Sequence, residues 1–93
     1  MASFDYTVEI ERALLKIMTT SQMLCRANLH TLKDELFSSA PRKFILATAQ
    51  GVFANTRATL SEMVYKYEVG AKIEASQASI YIGEWSLIQA MDA

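Results

Sequence analysis

The sequence predicts an all-α protein: an antiparallel hairpin of two long helices with a third, C-terminal helix, associating as an oligomeric helical bundle. Three observations carry this. Apolar residues recur at heptad spacing through most of the chain, the one proline follows a Ser-Ser-Ala turn near its middle, and 52% of the 93 residues are hydrophobic against 20% charged. A chain of this size buries about 60–65% of its unfolded surface. So much apolar side chain exceeds what two or three helices hide in themselves, hence the expectation of a homo-oligomer with, in addition, another protein as partner.

The first helix is expected over about 6–37. Ser3, Asp5 or Thr7 suits its N-cap, and Glu9 and Glu11 its first turn, where negative charge complements the helix dipole. Val8, Leu15, Leu29 and Leu36 share one heptad position, and Met18, Cys25 and Leu32 share its partner. Glu11 and Gln22 interrupt that seam. Thr19-Thr20-Ser21-Gln22 is polar and weakly helical, so a kink or short break there stands as an alternative.

Ser38-Ser39-Ala40-Pro41 ends the first helix and starts the second, because proline suits a first helical turn and disfavours helix before it. The second helix is expected over about 41–69. Leu46, Phe53, Leu60 and Tyr67 fall seven apart, with Ala49, Thr56, Met63 and Gly70 between them, while Ala47, Gly51, Ala54 and Ala58 make a small-residue face that admits a close second backbone. Gly70 is the expected C-cap or hinge, since Glu74 and Gln77 stand where the seam would continue. Ala78, Tyr81, Ile82, Trp85 and Ile88 then return at helical spacing, placing the third helix over about 72–91, all within one helical domain, 1–93.

The charge balance argues against some functions. Nine basic and ten acidic residues give a net charge of −1, so nucleic acid is not an expected partner and neither is an anionic membrane. No run approaches the ~18 apolar residues of a membrane span. One cysteine and an acidic start point to the cytoplasm, of a bacterium or of a virus-infected host cell. Cys25 and His30 project about 140° apart on a helix, too far to cooperate as nucleophile and base. With no phosphate loop, nucleophile elbow or metal-ligand spacing, neither an enzyme nor a cofactor or metal is expected.

Two basic groupings are the candidate binding residues. Arg42 and Lys43 lie in the first turn of the second helix, where the dipole disfavours positive charge. With Ser39 and free backbone N–H groups they suit a phosphate, a nucleotide or a partner's carboxylate, and Arg57 and Lys66 could join them in an oligomer. Arg26, His30 and Lys33 form a basic line on the first helix. The expected oligomer interface is Leu15, Met18, Leu29, Leu32, Phe53, Leu60, Tyr67 and Trp85, with Tyr65 and Tyr81 the aromatics left to face outward. These expectations describe a non-enzymatic protein that self-associates and binds another macromolecule, as adaptor, inhibitor, chaperone or assembly subunit. The alternative is an oligomer holding an anionic small molecule or nucleotide at the start of the second helix.

The turn Ser38–Pro41 and the stretch Leu60-Ser61-Glu62 to Tyr67 and Lys72 resemble in architecture the needle and inner-rod subunits of type III secretion systems. Those subunits polymerise as helical hairpins. The resemblance implies a filament subunit; Trp85 and the strongly apolar first helix fall outside it.

Overall fold

The structure is a computed structural model that describes residues 6–21, 23, 32–33, 35 and 37–91. Among these the fold is all-helical, with no strand, and has four long helices: α1 (Tyr6–Thr20), α2 (Ala40–Thr56), α3 (Glu62–Lys72) and α4 (Ala75–Gln89). The three-helix expectation is therefore corrected to four, and each difference has a local cause.

The first helix stops at Thr20 instead of running to about 37. The Thr19 hydroxyl donates to the Leu15 carbonyl at 2.9 Å and that of Thr20 to Lys16 at 2.6 Å, a back-bonding that weakens the next helical turn. Ser21, Leu32, Lys33, Phe37 and Ser38 are not helical, and the rest of the expected seam, Cys25, Leu29 and Leu36, lies outside the described residues.

Helix α2 starts where the proline predicts. Ser39 is its N-cap, accepting the Arg42 N–H at 3.3 Å, and Pro41 occupies the first turn. The expected continuous second helix then breaks. Asn55 and Thr56 are poor helix formers, the Thr56 hydroxyl bonds back to the Val52 carbonyl at 2.8 Å, and Arg57 turns the chain in the left-handed region at φ 60°. Ser61 caps the next helix by accepting the Val64 N–H at 3.3 Å, and Glu62 puts negative charge in its first turn. Gly70 is not a cap. It is helical, and α3 runs two residues further, to Lys72, with Ile73 in extended conformation as its C-cap.

Ile73 and Glu74 alone separate α3 from α4, so the two pack as an antiparallel helical hairpin. Helix α4 touches all three other helices, and α1 also packs on α2. The core collects Leu15 and Met18 of α1, Phe37, Ile45, Leu46, Ala49 and Phe53 of the middle of the chain, Leu60, Tyr65 and Val69 around α3, and Trp85 and Ile88 of α4. Fully burying side chains of this size contributes about 1.5–3 kcal/mol each. Such burial selects the broken second helix. Turning back at Arg57 stacks Tyr65 on Trp85 and brings Val69 into the same core, side chains which a straight helix would leave in water.

Candidate functional site

A buried ionic cluster joins α1, α2 and α4. Glu11 and Arg42 are 4% and 6% exposed, and the Arg42 Nε donates to Glu11 Oε1 at 2.6 Å. Arg42 also reaches Glu84 Oε2 through Nη1 at 3.3 Å and the Ser38 hydroxyl through Nη2 at 3.1 Å. Arg12 grips the same Glu84 carboxylate in a fork, with Nε at 2.7 Å and Nη2 at 3.1 Å. Ser38 donates its N–H to Glu11 Oε1 at 2.9 Å and its hydroxyl to Oε2 at 3.0 Å. Two carboxylates thus alternate with two guanidiniums, and among the described residues no buried side-chain polar atom lacks a partner.

The electrostatics follow from this pairing. Burial pushes the Glu11 carboxyl up, but the Ser38 N–H, the Arg42 guanidinium and the Ser38 hydroxyl together outweigh it and hold Glu11 below the ordinary carboxylate value. Glu84 shows the same balance, burial opposed chiefly by its hydrogen bond to Arg12 and then by both guanidinium charges, with a lowered result. The hydrogen bond to Glu84 raises Arg12 in turn. Glu11 and Glu84 are thereby held as carboxylates between the two guanidiniums, and the cluster works as a clasp between helices.

Beside it lies an aromatic stack. Tyr65 and Trp85 have ring centroids 4.8 Å apart at an interplanar angle of 16°, and Phe44 packs against Tyr65 and edge-on against Tyr81. The Tyr65 hydroxyl donates to the Tyr81 carbonyl at 3.0 Å, and the Trp85 indole N–H to Glu62 at 3.2 Å. Burial raises the Tyr65 phenol far above its usual range, with smaller contributions from Tyr81 and Glu84. Tyr65 and Tyr81 were expected to face outward, but Tyr65 is fully buried and Tyr81 is half-buried against the core, whereas Tyr67 of the expected interface is exposed. Two residues turn a helix by about 200°, and once the chain reverses at Arg57 it is the Tyr65 side that meets α4.

The other expected site residues divide as follows. Ser39 is used as a helix cap, Lys43 and Lys33 are exposed, and the Arg57 guanidinium sits 5.9 Å from the Phe53 ring centroid. Arg26, Leu29 and His30 lie outside the described residues. Leu15, Met18, Phe53, Leu60 and Trp85, expected as an oligomer interface, fill the core of the single chain, and Leu32 packs partly buried against it. The basic pair expected to receive an anion is likewise not presented as one, since Arg42 turns inward to Glu11 and Glu84. Among the described residues no group of His, Cys, Asp and Glu could hold a metal, and no helix is long and apolar enough to cross a membrane.

Large apolar side chains also stand at the surface. Ile10, Met23, Met63, Tyr67, Ile80 and Leu87 are each more than half exposed. On α4 the outward residues Ser76, Ser79, Ile80, Gly83, Ser86 and Leu87 carry no charge, and the one charged residue of that helix, Glu84, points into the clasp. No protein-family model matches the chain, and no curated protein or solved structure matches it significantly.

Proposed function

We propose that this chain is a non-enzymatic helical protein that self-associates into an oligomeric bundle and binds another macromolecule, as adaptor, inhibitor, chaperone or assembly subunit in the cytoplasm. The observation that supports this reading is the charge-free outer side of α4, with Ile80 and Leu87 one heptad apart on it. Around those two residues this side carries only small or uncharged groups, Ser76, Ser79, Gly83 and Ser86, so a partner can cover it without desolvating a charge. The clasp supports it too, because the ionic groups of α1, α2 and α4 are committed to holding the fold.

The test is native mass spectrometry of the tagged chain recovered gently from its host, beside the double variant Ile80→Lys/Leu87→Lys. Multiples of the 10.4 kDa subunit and additional complexes are expected for the wild type, with the additional complexes lost in the variant. Bare monomers from the wild type overturn the proposal.

A further inference from the structure

We propose that the elbow between α2 and α3 is a hinge through which two copies of this chain exchange their α3–α4 hairpins, residues 40–72 then forming one continuous helix in each copy. This rests on the reading that the chain self-associates, and it specifies how.

Four observations converge on the elbow. The heptad seam passes through it in phase: Leu46, Phe53, Leu60 and Tyr67, with Ala49, Thr56, Met63 and Gly70, keep one helical register across residues 57–61. The elbow segment Arg57-Ala58-Thr59-Leu60-Ser61 contains neither glycine nor proline, so nothing in its composition forbids a helix. Arg57, at φ 60° and ψ 20°, is the one non-glycine residue with positive φ among the described residues, a conformation that a residue with a Cβ avoids. Straightening the elbow relieves it. Finally, the half of the seam beyond the elbow is unburied in the closed chain, with Met63 79% and Tyr67 72% exposed. A sequence that maintains an apolar seam over a stretch its own fold leaves in water has a second arrangement in which that seam is covered.

The packing allows such an opening. Helices α2 and α3 face each other across a groove of about 340 Å³ lined by Ala47, Gly51, Val52, Asn55, Glu68 and Lys72, and the Phe44–Tyr65 ring contact that also joins them is re-formed between copies on exchange. Helices α3 and α4, by contrast, are joined by the Tyr65–Trp85 stack and by the Tyr65 and Trp85 hydrogen bonds, and they move together. In the exchanged dimer Glu84, Trp85 and Ile88 dock on the partner's α1 and α2 by the contacts they make at home. The two states then differ only at the hinge and along the newly covered seam, which is the condition for domain swapping.

The experiment uses the full chain carrying Cys25→Ser, with nitroxide labels at Ala47→Cys and Lys72→Cys. The protein is refolded at high concentration and its dimer isolated by size exclusion. Labelled chains are diluted with unlabelled ones so that pulsed electron paramagnetic resonance reads distances within one chain. Positions 47 and 72 line the same groove in the closed monomer, whereas on a continuous helix they stand about 37 Å apart.

The long distance is expected in the dimer and the short one in the monomer. Arg57→Gly, which suits the left-handed turn and weakens the straight helix, is expected to lower the dimerisation constant by roughly tenfold or more. Ser61→Ala, which removes the α3 cap and favours continuous helix, is expected to raise it by a similar factor. A dimer that keeps the short distance overturns the exchange and leaves self-association standing. No dimer from the wild type or from Ser61→Ala overturns both.

Discussion

Replacing Arg42 by methionine keeps most of the side-chain stem and removes the charge at the centre of the clasp. The loss falls mainly on Glu11. Glu84 keeps both bonds from Arg12, at 2.7 and 3.1 Å, while Glu11 loses its shortest partner, at 2.6 Å, and retains only the two groups of Ser38. Removing one member of a buried ion pair costs about 3–5 kcal/mol, because an uncompensated charge stays behind. The two Ser38 bonds place this case near the lower end, about 3–4 kcal/mol. A domain of this length has about 5–14 kcal/mol in total, so the variant loses a large share of its stability and is left only marginally folded at the lower end of that range. In urea titrations followed by Trp85 fluorescence, the midpoint is expected to fall by about 2–3 M. Glu11→Gln added to Arg42→Met removes the stranded charge, so the double variant is expected to be less destabilised than the sum of the two single changes by about 1–3 kcal/mol. An Arg42→Met midpoint within ~0.5 M of wild type, or strict additivity in the double variant, would refute the clasp as a structural determinant.

Three further outcomes follow from the same structure. Glu11 and Glu84 titrate below the ordinary 4.5 in the folded state, so the unfolded chain takes up protons first; their contribution is complete above that pH and is lost as pH falls below it through the folded values. Acid unfolding of Arg42→Met, where Glu11 has lost a depressing partner, is expected to begin at higher pH, which circular dichroism against pH checks. Tyr65→Phe removes the 3.0 Å bond to the Tyr81 carbonyl but keeps the stack on Trp85, and should cost about 1 kcal/mol, against about 3–5 kcal/mol for Tyr65→Ala; denaturant titration separates the two. Gly83→Ala adds a Cβ to an exposed helical position where nothing lies within 4 Å, so at monomeric concentration it should raise the melting temperature by a few degrees, on the order of 1 kcal/mol.

The sequence made the helical class, the start of α2 near Pro41, and Trp85 and Ile88 as apolar positions of α4 readable, because each depends on local spacing or on the fixed φ of proline, whereas buried Glu84 and the inward side of Tyr81 were not. It hid the break at Arg57. A heptad pattern reports which residues could share a face, and here it runs unbroken through a turn made by a residue with no special tolerance for positive φ. The cue that was present, Asn55-Thr56 followed by Ser61-Glu62, is a helix end and a helix start of modest strength. The clasp was half visible. Glu11 stood out as a carboxylate on an apolar seam and Arg42 as a cation at the wrong end of a helix, and each accounts for the other: a buried acid needs a buried base, and the base sits at the helix N-terminus because the acid faces it. Only the three-dimensional meeting of α1 with α2 joins two anomalies 31 residues apart.

The first and last helices are sewn together: Arg12 holds Glu84 across 72 residues, and Lys16 donates to the Gln89 carbonyl at 2.7 Å across 73. During synthesis this fixes an order of events. At roughly 5–20 residues per second, α1 leaves the ribosome about 4–15 s before the helix that completes its surroundings has been made. Through that interval Leu15 and Met18 lack the cover of α4, and until α2 has emerged they lack that of α2 as well.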